Sequence, residues 1–355
     1  MAFNYDARTS IEDRQLVDTR VLSGIDVASR QLGINVLALL ARFKIRPQLI
    51  NSPVGYLDYR QIIGFMDAVA EEFNCPHWGF VVGTCQKPLN FGIWGLPMKL
   101  SPDLGTAIEN GIKFFRYVNG MAQRELKVEG DLAIYSRRPA TSISKPSYQT
   151  ATLGAVQTYK TIRDWCALDW RPDRVTLIQP SPPQASLYKR YFKCSVNFDS
   201  ATTALYFPAS DLRLPLPHSD PELLAAVVDY LDRIALEPFP ENDIVGQVEV
   251  SIKRSLGTPT CNLTSIAQLL CLHPRKIQRQ LATRGLSFNH LLSKVRMDTA
   301  RHIVETSNTE LAKLSRLLGY NNPSAFSKAF SKVYGISPAS WRKQVAAQRK
   351  KGNQA

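Results

Sequence analysis

ELAKLSRLLGYNNPSAFSKAFSKVYG, running from Glu310 to Gly335, repeats a pattern already laid down in NLTSIAQLLCLHPRKIQRQLATRG, from Asn262 to Gly285. Moving Leu263, Ile266, Leu269 and Leu270 forward by 48 positions gives Leu311, Leu314, Leu317 and Leu318. Moving Pro274, Ile277 and Leu281 by 49 gives Pro323, Phe326 and Phe330. Each copy reads as an apolar helix, a short turn and a second helix with basic or polar outward positions. That order is how a helix-turn-helix looks in sequence, and its duplication predicts two DNA-reading units in one chain.

Helical phasing separates core from surface in both copies. Leu263, Ile266, Ala267 and Leu270 fall at i, i+3, i+4 and i+7, one buried stripe. The following helix opens at His273–Pro274 and turns Ile277 and Leu281 inward. At about 100° per residue, Arg275 and Arg279 point the opposite way, flanked by Lys276 and Gln278. Arg and Gln carry the donors and acceptors that match guanine and adenine edges in the major groove. Lys276 suits a phosphate, and His273 stands near the same DNA-facing terminus.

The second copy follows the same logic. Ser307-Asn308-Thr309-Glu310 reads as a capping box. Leu311, Leu314, Ser315 and Leu318 form the stripe, and Gly319 permits the turn. Asn322 caps the next helix with Pro323 at its first position. Phe326 and Phe330 face inward, which leaves Ser324, Lys328 and Ser331 outward with Ser327 beside them. This row is less basic, so it is expected to lean towards positioning on the backbone. Between the copies a helix from Phe288 to Glu305, roughly 27 Å long, is expected to act as a strut. It would set the reading helices about one DNA turn, roughly 34 Å, apart.

Charge supports this division. The chain has 355 residues and a net charge of +14. From Gly246 to Ala355 there are eighteen Lys and Arg against four acids, so these residues hold the whole excess. A neutral part joined to a basic one is expected where only the second meets a polyanion.

The length calls for two domains, and 44% apolar with 21% charged residues is ordinary globular composition. Met1–Ser10 is polar, and the apolar run Ile34–Ala41 is too short to span a bilayer. A cytoplasmic protein without membrane association is therefore expected, held at the nucleoid when bound to DNA. The six cysteines show no C-x-x-C spacing, so neither a metal site nor a cofactor is expected. P-loop, nucleophile-elbow and H-E-x-x-H motifs are absent, and the chain is not expected to be an enzyme.

Ahead of the repeat, helices are expected over 20–41, 59–73, from Ser101–Pro102 to Tyr117, 151–167 and 185–192. A β-hairpin is expected from Gln123–Val128 and Leu132–Arg137, joined at Glu129–Gly130–Asp131. Further strands are expected at 174–179, 195–198 and 204–207, and Asn51–Pro53 reads as a turn. The order of elements argues for an α+β domain with a small, mostly antiparallel sheet. It precedes an all-α domain with two helix-turn-helix units joined by a long helix. Leu212–Pro217 marks the boundary. The expected division is 1–217 regulatory, 218–242 interdomain helix and linker, 243–345 DNA-binding and 346–355 basic tail. The amphipathic helix 221–236, with Leu224, Val228 and Leu231 on one face, reads either as a dimerisation helix or as one packed on the first domain.

GLSFNHLLSKVRMDTARHIVETSNTELAKLSRLLGYNNPSAFSKAFSKVYGISPASWRK, and most tellingly LLGYNNPSAFSKAFSKVYGISPASWR, resembles the DNA-binding domain of AraC/XylS-type bacterial transcription regulators. The resemblance covers roughly 245–343. It implies a sequence-specific promoter binder, usually an activator that engages RNA polymerase. Carried over by position, base contacts fall on Arg275, Gln278, Arg279, Ser324, Ser327 and Lys328, with Lys276, Ser331 and Lys332 on phosphates. There are two departures from the pattern: Cys271 stands where Gly is common, and Leu314–Ser315 replaces a usual Ile-Ala pair. HWGFVVG (77–83), FGIWGLPMKLSPDLGTAIENGIKFFRYVN (91–119) and YFKCSVNFDSATTALYFPASDLRLPLP (191–217) are similar to the arabinose-binding-like sensing domain of one branch of that family. They imply a small-molecule effector, with Trp94, Arg116, Tyr117 and Arg137 as conceivable pocket groups.

Two other readings stay open: an architectural DNA binder without an effector, and an enzyme with an appended DNA-binding domain. The residues also leave open whether the chain forms a homodimer.

Overall fold

The computed structural model describes residues 16–51, 56–86, 92–115, 122–139, 147–166, 169–237, 240 and 243–352. In chain order the elements begin with β1 (Leu16–Asp18), α1 (Ile25–Leu32), α2 (Leu37–Arg42), α3 (Gln48–Asn51), β2 (Tyr56–Asp58), α4 (Tyr59–Glu72) and α5 (Trp78–Cys85). Then come α6 (Leu96–Leu100), α7 (Leu104–Phe115), β3 (Ala122–Glu129), β4 (Leu132–Pro139), α8 (Tyr148–Trp165), β5 (Arg174–Thr176), α9 (Ala185–Phe192), β6 (Ser195–Asn197) and β7 (Thr203–Pro208). The rest is helical: α10 (Pro221–Leu236), α11 (Ile244–Ser255), α12 (Leu263–Leu269), α13 (Pro274–Ala282), α14 (Phe288–Thr306), α15 (Leu311–Leu317), α16 (Pro323–Tyr334) and α17 (Pro338–Gly352). These residues form two compact bodies. One contains those between 16 and 86 and between 101 and 219, and the other contains those between 92 and 100 and between 220 and 352.

In the first body a five-stranded sheet runs in the order β3-β4-β7-β5-β6, antiparallel except for the β5–β6 pair. A separate ribbon pairs β1 with β2. Alternation along β4 sends Ala133 and Tyr135 into the core, where they lie opposite Phe207 and Leu205 of β7. The core also takes Val156, Tyr159 and Ile162 from α8 and Trp78, Phe80, Val81 and Val82 from α5. Aromatic pairs fill the end near α9: Phe80 stacks on Tyr188 at 4.2 Å, and Tyr159 meets Phe192 edge-on at 5.2 Å.

Two expected elements differ. The helix expected over 20–41 is two helices, because Asn35 accepts a hydrogen bond from the Leu37 amide at 3.1 Å and restarts the chain there. The helix expected from Ser101 starts at Leu104 instead. Asp103 accepts from the Thr106 amide at 2.8 Å, while the Ser101 hydroxyl accepts from Asn110. Tyr117 lies outside the described residues, as does most of the Asn51–Pro53 turn. α5, with Trp78 and Gly79 to Gly83 buried, has no counterpart among the expected elements.

In the second body α14 is the long central element. Leu291, Val295, Met297, Ala300 and Ile303 are buried along it. α10 belongs to this body and packs on α14. Tyr230 hydrogen-bonds Thr299 at 2.5 Å, and Asp229 lies 3.1 Å from His302. Its most buried residues are Leu223, Val227 and Leu231, one step round the helix from the Leu224–Val228 face expected. Asp220 caps α10 through the Leu223 amide at 3.0 Å and also receives Lys313 of α15 at 2.7 Å. The capping box expected at 307–310 is not formed. Ser307 closes α14 by donating to the Ile303 carbonyl, and Asn308 is held by Glu222 at 2.7 and 2.8 Å.

Candidate nucleic-acid interface

Both helix-turn-helix units are built by the same local chemistry. Asn262 caps α12 through the Ser265 amide at 2.9 Å. The chain then turns through Cys271, whose φ is 55°, with Leu272 N–H donating to Ala267 O at 2.8 Å. The second turn passes through Gly319 at φ 79°, with Tyr320 N–H donating to Ser315 O at 3.0 Å. Each is a left-handed helix end closed by a six-to-one hydrogen bond. The two turns superpose in sequence at a separation of 48 residues.

The second helices also start alike. His273 accepts from the Arg275 amide through Nδ1 at 3.2 Å, which assigns the imidazole proton to Nε2. Asn322 accepts from the Ala325 amide at 2.7 Å. Pro274 and Pro323 occupy the first turn of their helices. In α13, Ile277 and Leu281 are fully buried, and in α16 so are Phe326 and Phe330. Phe330 also packs edge-on against Trp341 of α17 at 6.0 Å, and Trp341 donates to Glu305 at 3.0 Å, tying α16 to the end of α14.

The opposite faces carry the expected groups. Arg275, Lys276, Gln278 and Arg279 are exposed on α13. Ser324, Lys328 and Lys332 are exposed on α16, whereas Ser327 and Ser331 are half-buried. The first row is thus fully presented, and the second partly withdrawn.

Several basic residues elsewhere in the helical body are engaged internally. Arg284 is held by Asp243 at 2.6 Å and Lys294 by Glu249 at 3.1 Å. Lys253 pairs with Glu237 at 2.7 Å and Lys313 with Asp220. Arg296 and Arg301 lie over the rings of Tyr320 and Tyr334, and Arg342 donates to the carbonyls of Asn308 and Thr309. Among the described residues, Arg275, Lys276, Arg279, Lys328 and Lys332 take no ion pair. They belong to α13 and α16. Cations left outside internal pairs on two exposed faces are what a phosphate backbone attracts.

Of the groups named for an effector, Trp94 and Arg137 are described. Trp94 is buried in the helical body, where its indole N–H donates to the Arg254 carbonyl at 2.5 Å. Arg137 is half-buried in the sheet body, and Arg116 and Tyr117 lie outside the described residues. Arg124 and Thr203, beside Arg137, were not singled out in the sequence. Among the described residues no group of His, Cys, Asp or Glu could hold a metal ion, and no helix is long and apolar enough to cross a membrane.

Residues 33–216 match the family model described as the arabinose-binding domain of AraC transcription regulator, N-terminal, and residues 266–344 match a helix-turn-helix domain. The chain belongs to the AraC family of transcription regulators. It is similar to the HTH-type transcriptional regulator VirS of Mycobacterium tuberculosis, 24% identical over 334 residues that cover 92% of this chain and 96% of VirS. It is also 25% identical over 319 residues to the ornithine utilization regulator of Pseudomonas aeruginosa, covering 88% and 92% of the two chains. The crystal structure of transcriptional regulator CdpR from Pseudomonas aeruginosa aligns at 18% identity and a TM-score of 0.39, over 89% of this chain and 98% of that one. As an AraC-family regulator, the chain binds DNA through its helix-turn-helix domain.

Proposed function

We propose that this AraC-family regulator is an effector-responsive activator that reads promoter DNA with both helix-turn-helix units in adjacent major grooves. Residues 1–217 are the regulatory part and 243–345 the DNA-binding part. Arg275, Gln278 and Arg279 read bases in one groove, and Ser324, Ser327 and Lys328 do so in the next. Lys276, Ser331 and Lys332 hold phosphates. Contact with RNA polymerase follows if the chain activates.

The observation that carries this reading is the face of α13. Three side chains able to read base edges stand exposed on it, opposite the fully buried Ile277 and Leu281. The sheet body's match to an effector-binding domain supports ligand control.

The test is a salt titration of binding to a selected site and to a scrambled duplex. A selective protein binds its site far more tightly than the scramble, and both affinities fall steeply with salt. Equal affinity for both duplexes would instead indicate an architectural binder.

A further inference from the structure

β3 is an edge of the five-stranded sheet, with β4 on one side and, among the described residues, no strand on the other. The hairpin decides which of its backbone groups stay open. A two-residue turn closes on Glu129 and Leu132, so that pair is of the hydrogen-bonded kind. The two kinds of pair alternate along an antiparallel ladder. Lys127 and Glu125 therefore bond to β4, while Leu126 and Val128 turn their N–H and C=O groups away from it. An open row of this kind is a template for another strand. The opposite edge, β6, is three residues long and offers far less.

The β3 edge lacks two of the usual guards. It holds no proline, and its register with β4 runs unbroken over eight residues. Val128 is 54% exposed, and Leu126 is half-buried on the same face. The other face carries Glu125 and Lys127, 3.4 Å apart and each about half exposed. Opposite charges two positions apart make the strand complementary to itself when run antiparallel. With Leu126 at the centre, Leu126 faces Leu126 and Glu125 of each copy faces Lys127 of the other. Centring the pair on Glu125 or on Lys127 instead sets like charges face to face, which destabilises a ladder. The open backbone groups fit the same register. Leu126 meets Leu126 as a hydrogen-bonded pair, and Glu125 meets Lys127 in the closer kind, with Cα atoms about 4.5 Å apart.

We propose that β3 is a dimerisation edge, where a second copy of this chain pairs antiparallel about Leu126 and the two sheets become one. The occupant is a second copy because the charges on β3 complement the same strand read backwards. The contact is isologous and uses up the edge, so association closes at two. Val128 is then covered by Leu126 of the second copy, its diagonal neighbour. The pairing asks nothing of the Arg124 side chain, which is engaged within the chain. One strand pair is a small interface, so the dimer is of modest affinity and depends on concentration.

The test is sedimentation of the full chain, without DNA, from about 1 to about 100 µM. A monomer–dimer equilibrium is expected. Glu125→Lys and Lys127→Glu each set like charges face to face at both contacts, and each should raise the Kd of the dimer roughly tenfold. Mixed in equal amounts, the two variants meet with opposite charges at both contacts, and the mixture should regain the parent's association. Loss of fold cannot imitate that rescue. Val128→Lys, at an exposed position, gives an independent reading and should also weaken the dimer. A chain that stays monomeric throughout overturns the proposal. So does a dimer that the charge substitutions or Val128→Lys leave unchanged, or a mixture that associates no more tightly than its components.

Discussion

Cys271 and Gly319 occupy the same position in the two helix-turn-helix turns, and both have left-handed backbone, at φ 55° and 79°. An L-residue with a Cβ pays a steric penalty in that region that glycine does not. The first unit thus keeps the geometry of the second despite the cysteine, at a cost in stability. Cys271→Gly should raise stability by roughly 0.5–1 kcal/mol, after allowing for glycine's greater freedom in the unfolded chain. Denaturant unfolding checks this: the midpoint should move up at constant slope. A lower midpoint would mean that the thiol makes contacts worth more than the strain.

A second asymmetry lies one turn earlier. Ser315 stands where the first unit has Ala267, both fully buried, and its hydroxyl has no hydrogen-bond partner among the described residues. A buried unpaired hydroxyl costs about 1–3 kcal/mol. Ser315→Ala should stabilise the chain by about 1 kcal/mol without changing DNA affinity, as read by unfolding and by a binding isotherm. Destabilisation would reveal a partner for the hydroxyl.

Asp220 links α10 to α15, capping the first and pairing with Lys313 on the second. Burial disfavours its charged form, but the hydrogen bond from Lys313, the Leu223 amide and the Lys313 charge outweigh this and hold its carboxyl below the usual carboxylate range. With the folded pKa depressed, its contribution is present above the unfolded pKa of about 3.9. That contribution fades as pH falls through the folded value. Asp220→Asn keeps the cap and loses the pair, so it should cost less than about 1 kcal/mol at pH 7. At a second pH, well below the usual carboxylate range, the difference from the parent should be smaller. An equal deficit at both pH values would contradict the ion-pair account.

How much was legible follows from which forces act locally. The repeat, the strut and the outward faces of α13 and α16 could be read because amphipathic phasing and helix caps are written within a few residues. The failures came where a distant partner decides. Ser307 and Asn308 look like a capping box until the end of α14 and Glu222 claim them. The buried face of α10 turned one step because α14, far along the chain, is its partner. In the hairpin, Glu129–Gly130–Asp131 read as a three-residue connection would slip the register by one. The observed two-residue turn pairs Glu129 with Leu132, and only that register sets Arg124 against Arg137. Trp94 could not be placed because the helical body includes residues 92–100, which no local pattern announces.

Lys328 is exposed on α16 in a row where Ser327 and Ser331 are half-buried. Lys328→Ala should chiefly lower affinity, with a salt slope smaller by about one, and should relax base preference far less than Arg279→Ala does. Binding isotherms at several salt concentrations on matched and mismatched duplexes provide the check. A marked change in base preference would show that this helix reads bases as strongly as α13.

The most direct measurement is selection of binding sites from random duplexes by the parent chain and by Arg279→Ala. The account predicts two preferred boxes about one helical turn, roughly 34 Å, apart. The more stringent box should belong to α13. In the variant, preference should relax at one position of that box, with specific affinity weaker by ~1–3 kcal/mol. A single box in the parent, or an unchanged motif at unchanged affinity in Arg279→Ala, would contradict it.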